Sequence, residues 1–332
     1  MRIEIWADVV CGWAYIGKRR LETALADPAL DGVPVEVVWR PFRIDPTAPA
    51  QAVPIEEMYR DPMVDAALSR CAPGLPPAEN RVRVSEIAAE EGLGPRWGAA
   101  WRADTHDAHR LLALAFEHGG AARQDAVAEQ VMKAHFIEGR DISDRDALAA
   151  IAAEAGFADG AALLDTDAGE EMVRELLLIG KARGVATSPT IVVGDRALAG
   201  AQPAEVIRDF LLQGGRRREL PEEVERLRYA ESLLDQRDPL GALVLLRPLL
   251  DAHGDDRNVR MLAARAYFTS AQLGRARDTL ELLVADVPDD SYVRHLLGRT
   301  LQRQGLVAEA APHLSMAAAM SPEFASAPIP GR

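Results

Sequence analysis

The run Trp6-Ala7-Asp8-Val9-Val10-Cys11-Gly12-Trp13-Ala14-Tyr15-Ile16-Gly17-Lys18-Arg19-Arg20 changes its hydrophobic period across a cysteine. Upstream, Arg2 to Ala7 alternates polar and apolar residues with β-branched members, the pattern of a strand, whereas from Trp13 onward apolar side chains recur at helical spacing. Cys11 is therefore expected where a strand passes into a helix. The first turn of such a helix carries unpaired N–H groups and the positive end of the macrodipole, both of which favour a thiolate over a thiol. On this reading Cys11 is a nucleophile.

Strand, then D-V-V-C-x-W-x-Y-I-G-K-R-R, resembles the opening of thioredoxin-fold proteins of the DsbA-like FrnE group. The usual form in those relatives is a Cys-Pro-Trp-Cys redox pair. Here Cys11 and Trp13 are kept, Gly12 replaces the proline and Ala14 replaces the second cysteine. The wider superfamily holds kappa-class glutathione transferases and hydroxychromene-carboxylate isomerases, which bind glutathione beside a cis proline. Further along, two apolar runs flank Gly194-Asp195, a two-residue hairpin signal, and Pro203 suits the first turn of a closing helix. The resemblance implies that the Ser188-Pro189 bond is cis and faces the redox helix. It also implies that Ser188 offers backbone groups to the cysteinyl part of a bound thiol, with Gly200, Ala201 and Gln202 near its γ-glutamyl end.

Between these motifs the first helix is expected to end near Asp27-Pro28, and Val33 to Ile44 reads as a second strand. From Asp45 to about Pro76 the pattern is interrupted by Pro46, Pro49, Pro54 and Pro62, leaving one short helix around Ile55 to Tyr59. From about Arg83 to Ala182 the period is helical, most clearly over Asp107–His118, Gln124–Phe136, Ser143–Glu154 and Glu170–Arg183, with Ser143-Asp144-Arg145-Asp146 as a helix start. The fold class is α/β: a DsbA-like thioredoxin domain over 1–212 with a large helical insertion over about 50–183. Residues 213–220 read as a linker. Beyond it Ala242, Ala276 and Ala310 recur at a spacing of 34, as do Leu246, Leu280 and Leu314, the period of tetratricopeptide helix pairs. An all-α tetratricopeptide-like repeat domain is expected over 221–322, its first unit less regular than the later two, and 323–332 reads as a frayed tail.

Composition narrows the function. A chain of 332 residues with 48% hydrophobic content supports ordinary cores, and a net charge of −13 argues against nucleic-acid binding. The basic run Arg216-Arg217-Arg218 is offset by Glu219, Glu222 and Glu223. No apolar run is long enough to span a bilayer, no signal peptide is expected, and two cysteines suit a reducing compartment, so the expected location is cytoplasmic. His106 and His109 lack a third ligand at matching spacing, so no metal is expected. Lys18, Arg19 and Arg20 are expected to raise the potential near Cys11 modestly.

Thiol–disulfide exchange needs an attacking thiolate, a sulfur to attack and a group to resolve the mixed disulfide. Cys11 supplies the first. Three readings follow: a monothiol oxidoreductase resolved by glutathione or an equivalent small thiol as cosubstrate, with no tightly bound cofactor; resolution by Cys71; or a redox-inactive scaffold whose cleft and repeats hold polypeptide. A glutathione-dependent transferase or isomerase is a further alternative, disfavoured because those relatives usually carry serine where Cys11 stands. Expected partners are a thiol or disulfide substrate, a protein or peptide at the repeats, and a second copy of the chain.

Overall fold

The computed structural model describes residues 1–60, 64, 74–214 and 220–326. Cys71 and most of the expected linker lie outside them, as do residues 327–332. The chain divides into two compact units, Met1–Gly180 with Gly184–Arg218, and Lys181–Arg183 with Glu219–Arg332.

In the first unit, β1 (Arg2–Ala7) runs into α1 (Gly12–Leu25) and then β2 (Glu36–Pro41), which pairs parallel with β1 through Ile3↔Val37 and Ile5↔Trp39. The second strand is shorter than the valine-rich run suggests, because β1 offers it only six partners and Phe42 N–H makes the last bond to Ala7 O. The chain returns to the same sheet with β5 (Thr190–Val193), antiparallel to β1, and β6 (Arg196–Ala199), giving the order β2-β1-β5-β6. Val193 pairs with Arg196, so Gly194-Asp195 is a two-residue turn, and Gly194 takes the positive φ of 62° that such a turn demands. Ile3, Ile5 and Ile191 are buried with Ile16 of α1 and Leu111 of the insertion, so helices cover the sheet and fix where α1 begins.

The insertion contains α2 (Ile55–Met58), α3 (Pro77–Glu90), α4 (His106–Phe136), α5 (Arg145–Glu154), α6 (Gly160–Leu164) and α7 (Glu170–Ala182). The two helices expected on either side of Gly119-Gly120 form one helical run that turns at Gly120, whose φ of 69° and ψ of −168° are open to glycine alone. Asp144 caps α5 through Asp146 N–H. The pair β3 (Val53–Pro54) and β4 (Trp101–Arg102) has no signal in the sequence, being too short to show a period. Pro203 stands just before α8 (Ala204–Leu212), as its N-cap rather than inside its first turn, and accepts from the N–H groups of Val206 and Ile207.

The second unit holds three antiparallel helix pairs: α9 (Glu222–Asp235) with α10 (Pro239–His253), α11 (Arg257–Thr269) with α12 (Leu273–Asp286), and α13 (Ser291–Arg303) with α14 (Val307–Met320). Ala242, Ala276 and Ala310 are fully buried at equivalent places, where a small side chain lets paired helices approach. Gly298 does the same between α13 and α14, since a methyl there would lie 2.6 Å from Leu314 Cγ. Asp256 and Asp290, 34 residues apart, cap α11 and α13. The first pair begins at Glu222, within the span expected for the repeats. Pro322–Ser326 is a 3-10 turn rather than a frayed end, anchored by Phe324 stacking on His295 at 4.5 Å. Among the described residues no helix is long and apolar enough to cross a membrane.

Candidate active site around Cys11

Cys11 is the N-cap of α1, with φ −88° and ψ 110°. Its carbonyl accepts from Ala14 N–H at 2.8 Å and opens the helix, while its own N–H donates to Asp8 O at 3.0 Å and closes the turn from β1. The thiol donates to Ser188 O at 3.4 Å. The Ser188–Pro189 peptide is cis, and Ser188 Oγ accepts from Asp8 N–H at 3.0 Å. Sequence-distant loops are thereby tied together on both sides of the sulfur.

The expected thiolate is not what this environment favours. Cys11 is only 7% exposed, and burial pushes its pKa above the ordinary thiol value, with the Asp8 carboxylate pushing the same way. Hydrogen bonding to the Ser188 side chain, and then to the Ala14 and Trp13 backbone at the helix start, acts in the opposite direction and is outweighed. At neutral pH the resting group is a thiol.

Pro189 packs against α1: a methyl on Gly17 would lie 3.3 Å from Pro189 Cγ and 3.5 Å from Ala201 Cβ. Gly200 N–H donates to Pro189 O at 2.8 Å, and Ala201 O accepts from Arg20 Nη1 at 2.7 Å. Ser188, Pro189, Gly200 and Ala201 thus share one neighbourhood with Cys11 and Gly17. Gln202 turns its amide onto Ala199 O at 2.8 Å. Trp13 is half-buried against the core, and Ala14, in the first turn of α1, is 1% exposed within that core.

The cations beyond the motif do not serve Cys11. Lys18, whose side chain is 5% exposed, sits among Glu22, Asp125 and Glu129; burial works against its ammonium, but these carboxylates outweigh that and hold its pKa above normal. Arg19 pairs with Glu22 and Glu129, and Arg20 with Glu91 at 2.6 Å. Tyr15 donates its hydroxyl to Glu129 at 2.7 Å, and burial followed by that carboxylate raises its pKa.

Several groups at the site have no local signature in the sequence. Asp8, almost fully buried, accepts from Ile44 N–H at 2.7 Å and lies 3.3 Å from His109 Nε2, which is also 3.0 Å from Phe42 O. Two acceptors face that nitrogen, so it carries the proton. His106 and His109 therefore part company: His106 meets Glu170 at 2.7 Å. His106, Asp107 and Glu170 form a cluster of metal-ligand type. Arg110 already stands 2.7 Å from Asp107 and 3.4 Å from Glu170, with Arg145 at 2.9 Å from Asp107, so its carboxylates face cations of the protein itself. Buried His135 is pushed down to about 4 by loss of hydration, which nearby Asp8 and Asp141 only partly offset, and its Nδ1 has no hydrogen-bond partner. Trp97 and Phe136 stack at 4.7 Å, with Tyr15 6.0 Å from Trp97.

Residues 2–212 match the family described as the DSBA-like thioredoxin domain, and residues 233–300 match the tetratricopeptide repeat. Among solved structures, a probable DsbA oxidoreductase from Streptomyces coelicolor is 32% identical, with a TM-score of 0.53 over 64% of this chain and 89% of its own. A 2-hydroxychromene-2-carboxylate isomerase is 17% identical, with a TM-score of 0.47 over 64% of this chain and 93% of its own. The cytosolic disulfide reductase DsbM from Pseudomonas aeruginosa is 20% identical, with a TM-score of 0.42 over 64% and 98%. No curated protein matches the sequence.

Proposed function

The chain belongs to the DSBA-like thioredoxin domain family, and from that premise we propose that it is a thiol–disulfide oxidoreductase of FrnE type with a single reacting sulfur, Cys11. The observation that carries this is the thiol held 3.4 Å from Ser188 O, on the loop of the cis proline. Cys11 Sγ attacks one sulfur of a substrate disulfide, forming a mixed disulfide and expelling the other sulfur as a thiolate, which takes up a proton equivalent to the one Cys11 gives up. Ala14 has no sulfur with which to attack that intermediate. A second thiol therefore attacks the substrate sulfur, regenerates Cys11 and carries the oxidised state away. Glutathione or an equivalent small thiol suits that role, with Ser188 binding its cysteinyl part and Gly200, Ala201 and Gln202 near its γ-glutamyl end. A cytoplasmic setting, where such thiols are plentiful, fits the same reading. The repeats offer a site for a protein or peptide partner.

Burial of the sulfur and its raised pKa favour a second reading, a scaffold that binds polypeptide without exchange. Intact-mass analysis after exposure to oxidised small thiols separates the two. The oxidoreductase gains one mixed-disulfide adduct at Cys11, released by added thiol and absent in Cys11→Ala. A protein that forms no adduct at Cys11, and binds its partner equally well as Cys11→Ala, is the scaffold.

A further inference from the structure

Two fixed groups stand beside the Cys11-Gly12 step. One is the Ser188 carbonyl, 3.4 Å from the sulfur. The other is an indole: a methyl placed on Gly12, the next residue, would lie 3.2 Å from Trp97 Cζ2 and 3.8 Å from both Phe136 Cε1 and Val84 Cγ1. Trp97 is set there by its stack on Phe136, the two planes within 7° of parallel. The loop that carries it is held at two points, where buried Leu93 donates to Ala88 O at 2.8 Å and Gly98 N–H donates to Phe136 O at 2.9 Å. Between them Gly94, Pro95 and Arg96 are exposed, so Trp97 is the large group this loop sends inward.

The indole stands one residue from the sulfur, so groups next to the sulfur of an incoming disulfide compete with Trp97 for space. We propose that Trp97 is the specificity-determining gate of the Cys11 site: it refuses disulfides with ring or branched bulk next to the sulfur and admits unbranched, extended ones. This rests on the reading of Cys11 as the reacting sulfur. A tryptophan stacked on a second ring is stiff, so its exclusion is steric rather than a matter of charge. Gly12 belongs to the same device, because a methyl there would already press on the indole at 3.2 Å.

The test uses the full chain carrying Cys71→Ala, which leaves Cys11 as its sole thiol. Two uncharged probes are compared by intact mass: dithiodipyridine, with a ring on each sulfur, and hydroxyethyl disulfide, which is unbranched. In Trp97→Ala the ring-bearing probe is expected to react at least about tenfold faster, and the unbranched probe less than about threefold faster. Trp97→Phe should fall between. Trp97→Leu keeps an apolar packing group and is scored by the same ratio, so the result does not depend on the alanine variant folding. Equal acceleration of both probes, or none of the ring-bearing one while Cys11 still reacts, overturns the gate alone. A Cys11 that reacts with neither probe in any variant overturns the gate and the parent reading together.

Discussion

Whether a buried sulfur reacts is a matter of which charges and dipoles surround it, and at Cys11 burial and Asp8 outweigh Ser188 and the helix start. The alkylation rate of Cys11 should therefore keep climbing with pH through and beyond the ordinary thiol range, with no plateau at acidic pH, as measured with iodoacetamide. Asp8→Asn keeps an acceptor for Ile44 N–H but removes the negative charge. Its alkylation profile should move to lower pH, while the lost charge-assisted bond destabilises the fold by about 1–2 kcal/mol. His135 makes the opposite kind of prediction. Its folded pKa of about 4 lies below the ordinary 6.5, so the unfolded chain binds a proton that the native state refuses. The stability this contributes is present above pH 6.5 and is lost as pH falls towards 4. Urea unfolding of the wild type should weaken by roughly 2 kcal/mol more between pH 7 and pH 5 than that of His135→Leu.

The elements that position the site differ in how plainly the sequence announces them. β1, α1, the Gly194-Asp195 hairpin and the Ser188-Pro189 loop are visible because each has a local cause: period, turn chemistry or proline. Trp97 against Gly12, Asp8 against Ile44 and Ser188, and Lys18 among three acids are not, since each joins residues far apart in the chain or depends on burial. The basic run after Cys11 misleads for that reason, as its charges are consumed by partners on α4 and at the C-cap of α3. Gly120 shows the converse, a single residue whose need can be read locally once its dihedrals are known. Gly120→Ala should destabilise the protein by about 1–3 kcal/mol in denaturant unfolding, with the alkylation rate of Cys11 unchanged below the transition.

On the scale of the molecule, two units with separate cores make two kinds of mutation separable. Leu280 is fully buried between repeat helices, so Leu280→Ala should lower the stability of the second unit by about 2–5 kcal/mol. The signal is an earlier loss of helical circular dichroism, because loss of one repeat's packing propagates to its neighbours. Adduct formation at Cys11 should survive below that transition. The buried methyl of Ala14, in the first turn of α1, has its own outcome for the whole protein. On the proposed oxidoreductase reading, a centre with no second sulfur in its own motif cannot shut on itself there once a guest has left, so it keeps no memory of past oxidation. It can act as a relay between two visitors but not as a reservoir, and the direction of every exchange is decided by the company it meets.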